Sequence, residues 1–210
     1  MDAQLMDAMV LSNFPVAVAK HSQQIEEPAA FGQRYIVGQQ GLFREVSTPW
    51  LLARNLIAHA QMPTPYGVVE ECAVLKCGSP PADLWRDFIE HAKKESPVEC
   101  AGLMIWNVQT QRWRLAIREV TYATSDRVDY MEPELHEDEL AVVDVHSHGL
   151  HKAFFSSRDN RDDSGSIKVS AVIGRLNLEV PEVSIRLVCI DSFRKVTMDR
   201  SQLTVTREAA

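Results

Sequence analysis

The chain has 210 residues, of which 45% are hydrophobic and 24% are charged, the proportions of an ordinary globular protein. Its formal net charge of −7 disfavours a nucleic-acid backbone as the direct partner, because such binding depends on clustered Lys and Arg. No apolar run approaches the roughly 20 residues of a membrane span, and the acidic start of the chain has no signal-peptide pattern. We therefore expect a cytoplasmic protein whose four cysteines stay as thiols.

Residues 1–78 are predicted to form a small N-terminal α+β region of unknown role. The Gly38-Gln-Gln-Gly41 sequence is typical of a hairpin turn, and the segment 49–58 carries apolar residues at the spacing of a helix. Cys72 and Cys77 have no second Cys or His pair to complete a zinc site, so we interpret them as half-buried strand residues. Strands are predicted over residues 14–19, 35–38, 41–46 and 71–77.

A second domain is predicted over residues 79–205, after the Gly78-Ser-Pro-Pro81 break. Its first element is an amphipathic helix over residues 81–94, with acids at its start and lysines at its end. Strands follow over 98–107, 111–120, 140–145, 168–174, 181–190 and 193–198, the last of these being the final paired strand. An acidic loop or short helix is expected over 126–139, and a frayed tail over 206–210.

Two histidines stand at the end of the predicted strand 140–145. Alternate strand residues point to the same face, so His146 and His148 can reach one metal ion together. After a gap of seven residues from His148, the sequence Ser156-Ser-Arg-Asp159 begins a polar run of helical character. Asp159 would supply a third ligand and leave the fourth position open to water, which is the layout of a catalytic zinc site.

The residue types also suggest how such a site would work. Two imidazoles and one carboxylate suit zinc better than calcium or magnesium. Glu99, at the mouth of the first core strand, is the candidate general base, and Ser156 is the candidate donor to the developing oxyanion. Taken alone, Ser156 and Asp159 are a helix cap, and the histidines are ordinary strand residues. The combined spacing is too specific for either explanation by itself.

These residues resemble the JAMM motif of the MPN (Mov34/PAD-1, JAB1) metalloproteases. The motif is carried by Glu99 with Gly102 three residues later, and by His146-Ser-His148 with Ser156 and Asp159 downstream. The resemblance implies an α/β, mixed α+β fold: a cytidine-deaminase-like core whose mixed sheet is flanked by helices. It also implies one zinc ion per chain, bound by the His and Asp residues, with Glu as acid and base and Ser at the oxyanion.

Two positions depart from the pattern that many members of the family share. Where those members have proline after the second histidine and before the serine, this chain has Gly149 and Phe155. The Tyr130-Met-Glu-Pro-Glu-Leu135 segment resembles the loop that precedes the histidine strand in bacterial members. His151 is an additional histidine, and we interpret it as a solvated loop residue that could line the cleft.

Over its full length the chain is similar to the MPN-domain members of bacterial, often plasmid-borne PRTRC cassettes, which also encode ThiF-related proteins. That resemblance implies a ThiF-like, E1-like partner and a ubiquitin-like or sulfur-carrier-like protein substrate, cleaved after its C-terminal glycine. Since MPN proteins often pair, a homodimer is also expected.

Other functions stay open at this point. The strongest is a catalytically silent MPN scaffold, although such members usually lose a ligand or the glutamate and this chain keeps all of them. A different His-x-His hydrolase would need further histidines downstream, and none follows His151. A DNA-partition accessory protein is disfavoured by the acidic charge.

Overall fold

The computed structural model describes residues 2–123, 128–199 and 202–205. The chain forms two compact units, residues 1–77 and 78–210. Within the described ranges, no helix has the length and apolar character that crossing a membrane would require.

The first unit is a five-stranded sheet preceded by one helix. The predicted hairpin is confirmed, since Gly38 pairs with Gly41 across a two-residue turn. The strands lie in chain order; β1 runs parallel to β2, and the other neighbours are antiparallel. The elements are α1 (Ala3–Asn13), β1 (Val16–Val18), β2 (Gly32–Gly38), β3 (Gly41–Ser47), β4 (Leu51–His59) and β5 (Cys72–Leu75).

The predicted helix over residues 49–58 is wrong, because this segment forms β4. The strand lies between β3 and β5, and its first five residues are all buried. A strand covered on both faces carries continuous apolar residues, and such a run cannot be distinguished from a buried helix by its spacing. α1 was not predicted either, because none of its residues is buried and no apolar stripe marks it.

Over its described residues, the second unit contains a seven-stranded sheet, a two-stranded sheet and two helices. Its elements are α2 (Ala82–Glu95), β6 (Ala101–Asn107), β7 (Arg112–Ile117), β8 (Glu119–Ala123), β9 (Val128–Met131), β10 (Glu139–Ser147), α3 (Ser157–Asp163), β11 (Ile167–Gly174), β12 (Glu182–Cys189), β13 (Ser192–Asp199) and β14 (Gln202–Val205). The strand order in the large sheet is β14-β13-β12-β11-β10-β6-β7, and β8 pairs with β9.

The large sheet is mixed and has a helix on each face, which confirms the predicted fold class. β10 and β11 are parallel, and the other neighbours are antiparallel. Phe88 of α2 packs against Gly102 of β6, where a Cβ atom would lie 3.4 Å from the ring. Asp163 of α3 contacts the opposite face, where it accepts a hydrogen bond from Ser170 of β11. The helix predicted over residues 81–94 is confirmed as α2.

In this unit two predicted strands have different bounds, and two further strands were not predicted. The strand expected over 98–107 begins only at Ala101, and the one expected over 111–120 is interrupted at Arg118. The acidic stretch after 126 contains the unpredicted strand β9. β14 follows the strand that was expected to be the last, and it pairs antiparallel with β13. The expected tail over 206–210 lies outside the described residues.

We expect the substitution Phe88→Ala to lower the free energy of unfolding of the second unit by about 3–5 kcal/mol. The ring is fully buried against the sheet, so its removal leaves a cavity. Urea denaturation followed by circular dichroism measures the change. The matched control is Val180→Ala, at a residue that is 78% exposed, with an expected change below about 0.5 kcal/mol. A loss below about 1 kcal/mol for Phe88→Ala would show that α2 is not part of the core.

Candidate metal centre

The end of β10 brings the two predicted histidines together. His146 lies on the strand, and His148 follows its last residue. The backbone N–H of His148 donates to the carbonyl of Ile173 at 2.8 Å, which extends the pairing with β11 past the strand end. The two Nε2 atoms are 3.2 Å apart. Both imidazoles therefore converge on one point, as the strand spacing predicted.

Asp159 reaches the same point from the first turn of α3. Ser156 caps this helix: its Oγ accepts from the backbone N–H of Asp159 at 3.2 Å, and its own N–H donates to Asp159 Oδ2 at 2.6 Å. This reciprocal capping box fixes the orientation of the carboxylate. The other oxygen, Oδ1, lies 3.6 Å from His146 Nε2. One carboxylate oxygen is thus held by the backbone while the other faces the histidines.

The donor set fits a zinc ion. One ligand atom from each of His146, His148 and Asp159 lies within 4.8 Å of the other two. Zinc bonds of about 2.0–2.1 Å in a tetrahedral arrangement place ligand atoms about 3.4 Å apart. The observed separations of 3.2 and 3.6 Å lie on either side of that value. Without a metal, the two histidine nitrogens are close enough to share a proton as a hydrogen bond.

Glu99 lies in the loop before β6, and the residue that follows it is fastened to the histidine segment. The N–H of Cys100 donates to Ser147 Oγ at 3.1 Å, and the N–H of Ser147 donates to the Cys100 carbonyl at 2.9 Å. Ser147 stands between the two histidines and is completely buried. The backbone beside Glu99 is therefore held next to the candidate ligands, and the pairing of β6 with β10 produces this arrangement.

A cleft of about 880 Å³ contains the candidate site, and all five predicted site residues line it. Ser156 lies on its wall with a hydroxyl that accepts at the helix cap and still has its own hydrogen to donate. His151 lines the cleft and is solvent-exposed, so it is a solvated loop residue at the edge of the site. Tyr130, from the segment that resembles the family's loop, also lines the cleft. The predicted residues that form the site are Glu99, His146, His148, Ser156 and Asp159.

The electrostatics of the site favour a neutral imidazole. Burial lowers the pKa of His146 below its usual value of 6.5, despite the nearby negative charge of Asp159. Metals bind the neutral ring through a nitrogen lone pair. The lowered pKa therefore leaves His146 available as a ligand at neutral pH.

Two cationic side chains contact Asp144, which lies two residues before His146 on β10. Asp144 points to the same face as that histidine and contacts Arg118 Nη1 at 2.6 Å and Lys168 Nζ at 2.8 Å. Burial by itself raises the pKa of Asp144, but the charges of Arg118 and Lys168 outweigh it and hold the pKa below its usual value. These three residues line the cleft and were not predicted. The alternation along β10 could have identified Asp144, since it is two residues from His146.

The two departures from the family pattern have structural explanations. Gly149 adopts a φ of +55°, a conformation that proline cannot reach because its ring fixes φ near −65°. The Phe155 ring lies under the guanidinium of Arg186, 3.8 Å from its centroid to Cζ. The loop from His148 to α3 therefore follows a path suited to this chain's own residues.

Comparisons with known proteins assign both halves of the chain. Residues 81–188, just over half of the chain, match the family described as prokaryotic homologs of the JAB domain. Residues 4–76 match a domain of unknown function, DUF2016. No curated protein matches the chain. All five candidate site residues fall within the stretch that matches the JAB family.

The start of the histidine strand generates a prediction about acid stability. Hydrogen bonds from Arg114 and from the backbone N–H of His136 lower the pKa of Glu139 from 4.5 to about 2. A lowered folded-state pKa stabilises the protein above the unfolded-state pKa, and that stability is lost as the pH falls through the folded-state value. We expect Glu139→Gln to flatten the loss of stability between about pH 4.5 and pH 2, measured by urea unfolding. Glu137→Gln, at an exposed neighbour, is the control; equal slopes in all three proteins would refute the assignment.

Proposed function

The chain belongs to the family of prokaryotic homologs of the JAB domain, and from this membership we propose that it is a zinc-dependent peptidase or isopeptidase. Its substrate is a ubiquitin-like or sulfur-carrier-like protein, cleaved after the C-terminal glycine. The observation that carries the proposal is the convergence of three donor atoms within 4.8 Å on the wall of a cleft. Glu99 and Ser156 line the same cleft.

His146, His148 and Asp159 hold the metal in this proposal. When bound, zinc would polarise the scissile carbonyl and lower the pKa of water, as it does in other zinc hydrolases. The capping box keeps Asp159 Oδ2 occupied by a backbone N–H, so the carboxylate presents a single oxygen, Oδ1, to the histidines. The pairing of β10 with β11 keeps the histidine backbone in place.

Glu99 and Ser156 perform the proton transfer and the stabilisation of charge. Glu99 removes a proton from the attacking water and passes it to the leaving amine, which is the work of a general base and then a general acid. Ser156 donates its hydroxyl hydrogen to the carbonyl oxygen as negative charge develops there. The backbone bonds between Cys100 and Ser147 keep the Glu99 loop beside the ligands during this work.

The substrate and its pathway extend the proposal. An extended C-terminal tail fits an open cleft of this size, and a terminal glycine has no Cβ atom to hinder a close approach to the site. The amine on the far side of the scissile bond belongs to a lysine or to a small molecule such as cysteine. The resemblance to PRTRC cassette members supports a ThiF-related, E1-like partner that acts on the same carrier protein.

We expect Glu99→Gln to lower the rate of cleavage by about 10²–10⁴-fold, because an amide cannot accept the proton. The measurement is single-turnover cleavage of a small ubiquitin-like protein that ends in Gly-Gly and carries a C-terminal peptide extension. The zinc content should stay unchanged, because Glu99 is not a ligand. Glu90→Gln, at an exposed position on α2, is the matched control and should cleave at the rate of the unmodified protein.

Two results would contradict the proposal. Equal cleavage by Glu99→Gln and the unmodified protein would remove the glutamate from the mechanism. Zinc-loaded protein that cleaves no extended carrier in a panel of ubiquitin-like and sulfur-carrier proteins, yet binds one of them, would support the alternative of a catalytically silent scaffold.

A further inference from the structure

Arg186 of β12 contacts two residues of α3 and one residue of the chain that leads into it. Its guanidinium donates to Asn160 Oδ1, and its Nη2 donates to Asp163 Oδ2 at 2.6 Å. Its Cζ also lies 3.8 Å from the centroid of the Phe155 ring, immediately before the helix cap. Arg186 is buried, with 7% of its surface exposed. One side chain thus contacts the middle and the end of this helix and the residue before its cap.

Asp163 provides the other half of the contact. It is the only buried residue of α3, and its Oδ1 lies 2.6 Å from Lys168 Nζ while its Oδ2 accepts from Ser170 Oγ at 2.7 Å. Burial alone would raise the pKa of Asp163, but the hydrogen bonds from Lys168, Arg186 and Ser170 hold it below its usual value. The carboxylate is therefore charged and fully partnered at neutral pH.

Polar contacts, and not apolar packing, hold α3 on the sheet. α3 spans seven residues, Ser-Arg-Asp-Asn-Arg-Asp-Asp, and contains no apolar side chain. A helix of this length is marginal by itself in water, and most helices gain their stability by packing an apolar face. Polar contacts with β11 and β12 take the place of that packing here. Asp159 lies within this helix, one turn before Asp163.

We propose that Arg186 and Asp163 form a clamp that positions Asp159 as the third zinc ligand. The histidines belong to the sheet and Asp159 belongs to the helix, so the distance between them depends on how the helix is fastened. The capping box sets the carboxylate relative to the helix, and the clamp sets the helix relative to the sheet. This inference rests on the proposed zinc site, and it assigns Arg186 and Asp163 as positioning residues that do not contact the metal themselves.

Zinc affinity is the quantity that tests the clamp. In Arg186→Lys the charge remains, but an ammonium cannot match the planar fork or its stacking on Phe155. In Asp163→Asn the shape remains and the charge is lost. We expect both variants to bind zinc about 10–100-fold more weakly, the loss that follows when partners of metal ligands are removed. Competition with a chromophoric chelator measures the affinity, and circular dichroism confirms that each apo-variant is folded.

The matched control is Arg161→Lys, at an exposed residue of the same helix that lies outside the cleft lining. Its zinc affinity should equal that of the unmodified protein. A loss smaller than fivefold in either folded clamp variant overturns the proposal. If both variants fail to fold, the zinc affinity of Asn160→Ala is measured instead. This substitution removes one contact of Arg186 without leaving a buried charge unpaired. A loss of at least threefold supports the clamp, and a smaller loss overturns it.

A double-mutant cycle separates positioning from a general structural effect. If the clamp acts through Asp159, then Arg186→Lys should cause no further loss of zinc affinity in an Asp159→Ala background. A loss of the same size in both backgrounds overturns the proposal, since the effect would then reach zinc through the sheet. Failure of the unmodified protein to bind zinc would instead refute the proposed function, so the two failures are distinguishable.

Discussion

Charged side chains lie on the face of the seven-stranded sheet that carries the candidate site, and each must be paired with an opposite charge. The position of the candidate ligands depends on this pairing. Asp144 shares Lys168 with Asp163, since the ammonium lies 2.8 Å from one carboxylate and 2.6 Å from the other. Asp163 in turn pairs with Arg186. An unpaired charge in such surroundings would be costly. One continuous network therefore joins the strand that carries the histidines to the helix that carries Asp159.

Much of the site could be predicted because its ligands are close in sequence. His146 and His148 need only the alternation of a strand, and Asp159 needs only a capped helix after a gap of seven residues from the second histidine. The position of Glu99 beside these ligands is harder to predict from local spacing, since it depends on β6 pairing with β10. α2 followed from the amphipathic period of a long segment, where local patterns are most informative, whereas the mixed sheet was expected from the family resemblance.

The other contacts around the site, and the assignment of β4, could not be predicted. They depend on strand order and on burial, which local sequence patterns do not specify. Lys168 and Arg186 come from β11 and β12, and only the pairing of those strands brings them beside α3. β4 was mistaken for a helix because a strand buried on both faces has no alternation. Phe155 gave no signal of its role, because its partner Arg186 lies far along the chain.

Zinc stoichiometry tests the central claim most directly. Elemental analysis would compare the unmodified protein, prepared without chelator, with a His146→Ala, His148→Ala double variant and a matched double variant of His91→Ala with His136→Ala, which lie outside the cleft lining. The metal site predicts about one zinc ion per chain in the first and third proteins and none in the second. Unmodified protein that contains no zinc and takes up none on addition would contradict the metallopeptidase assignment.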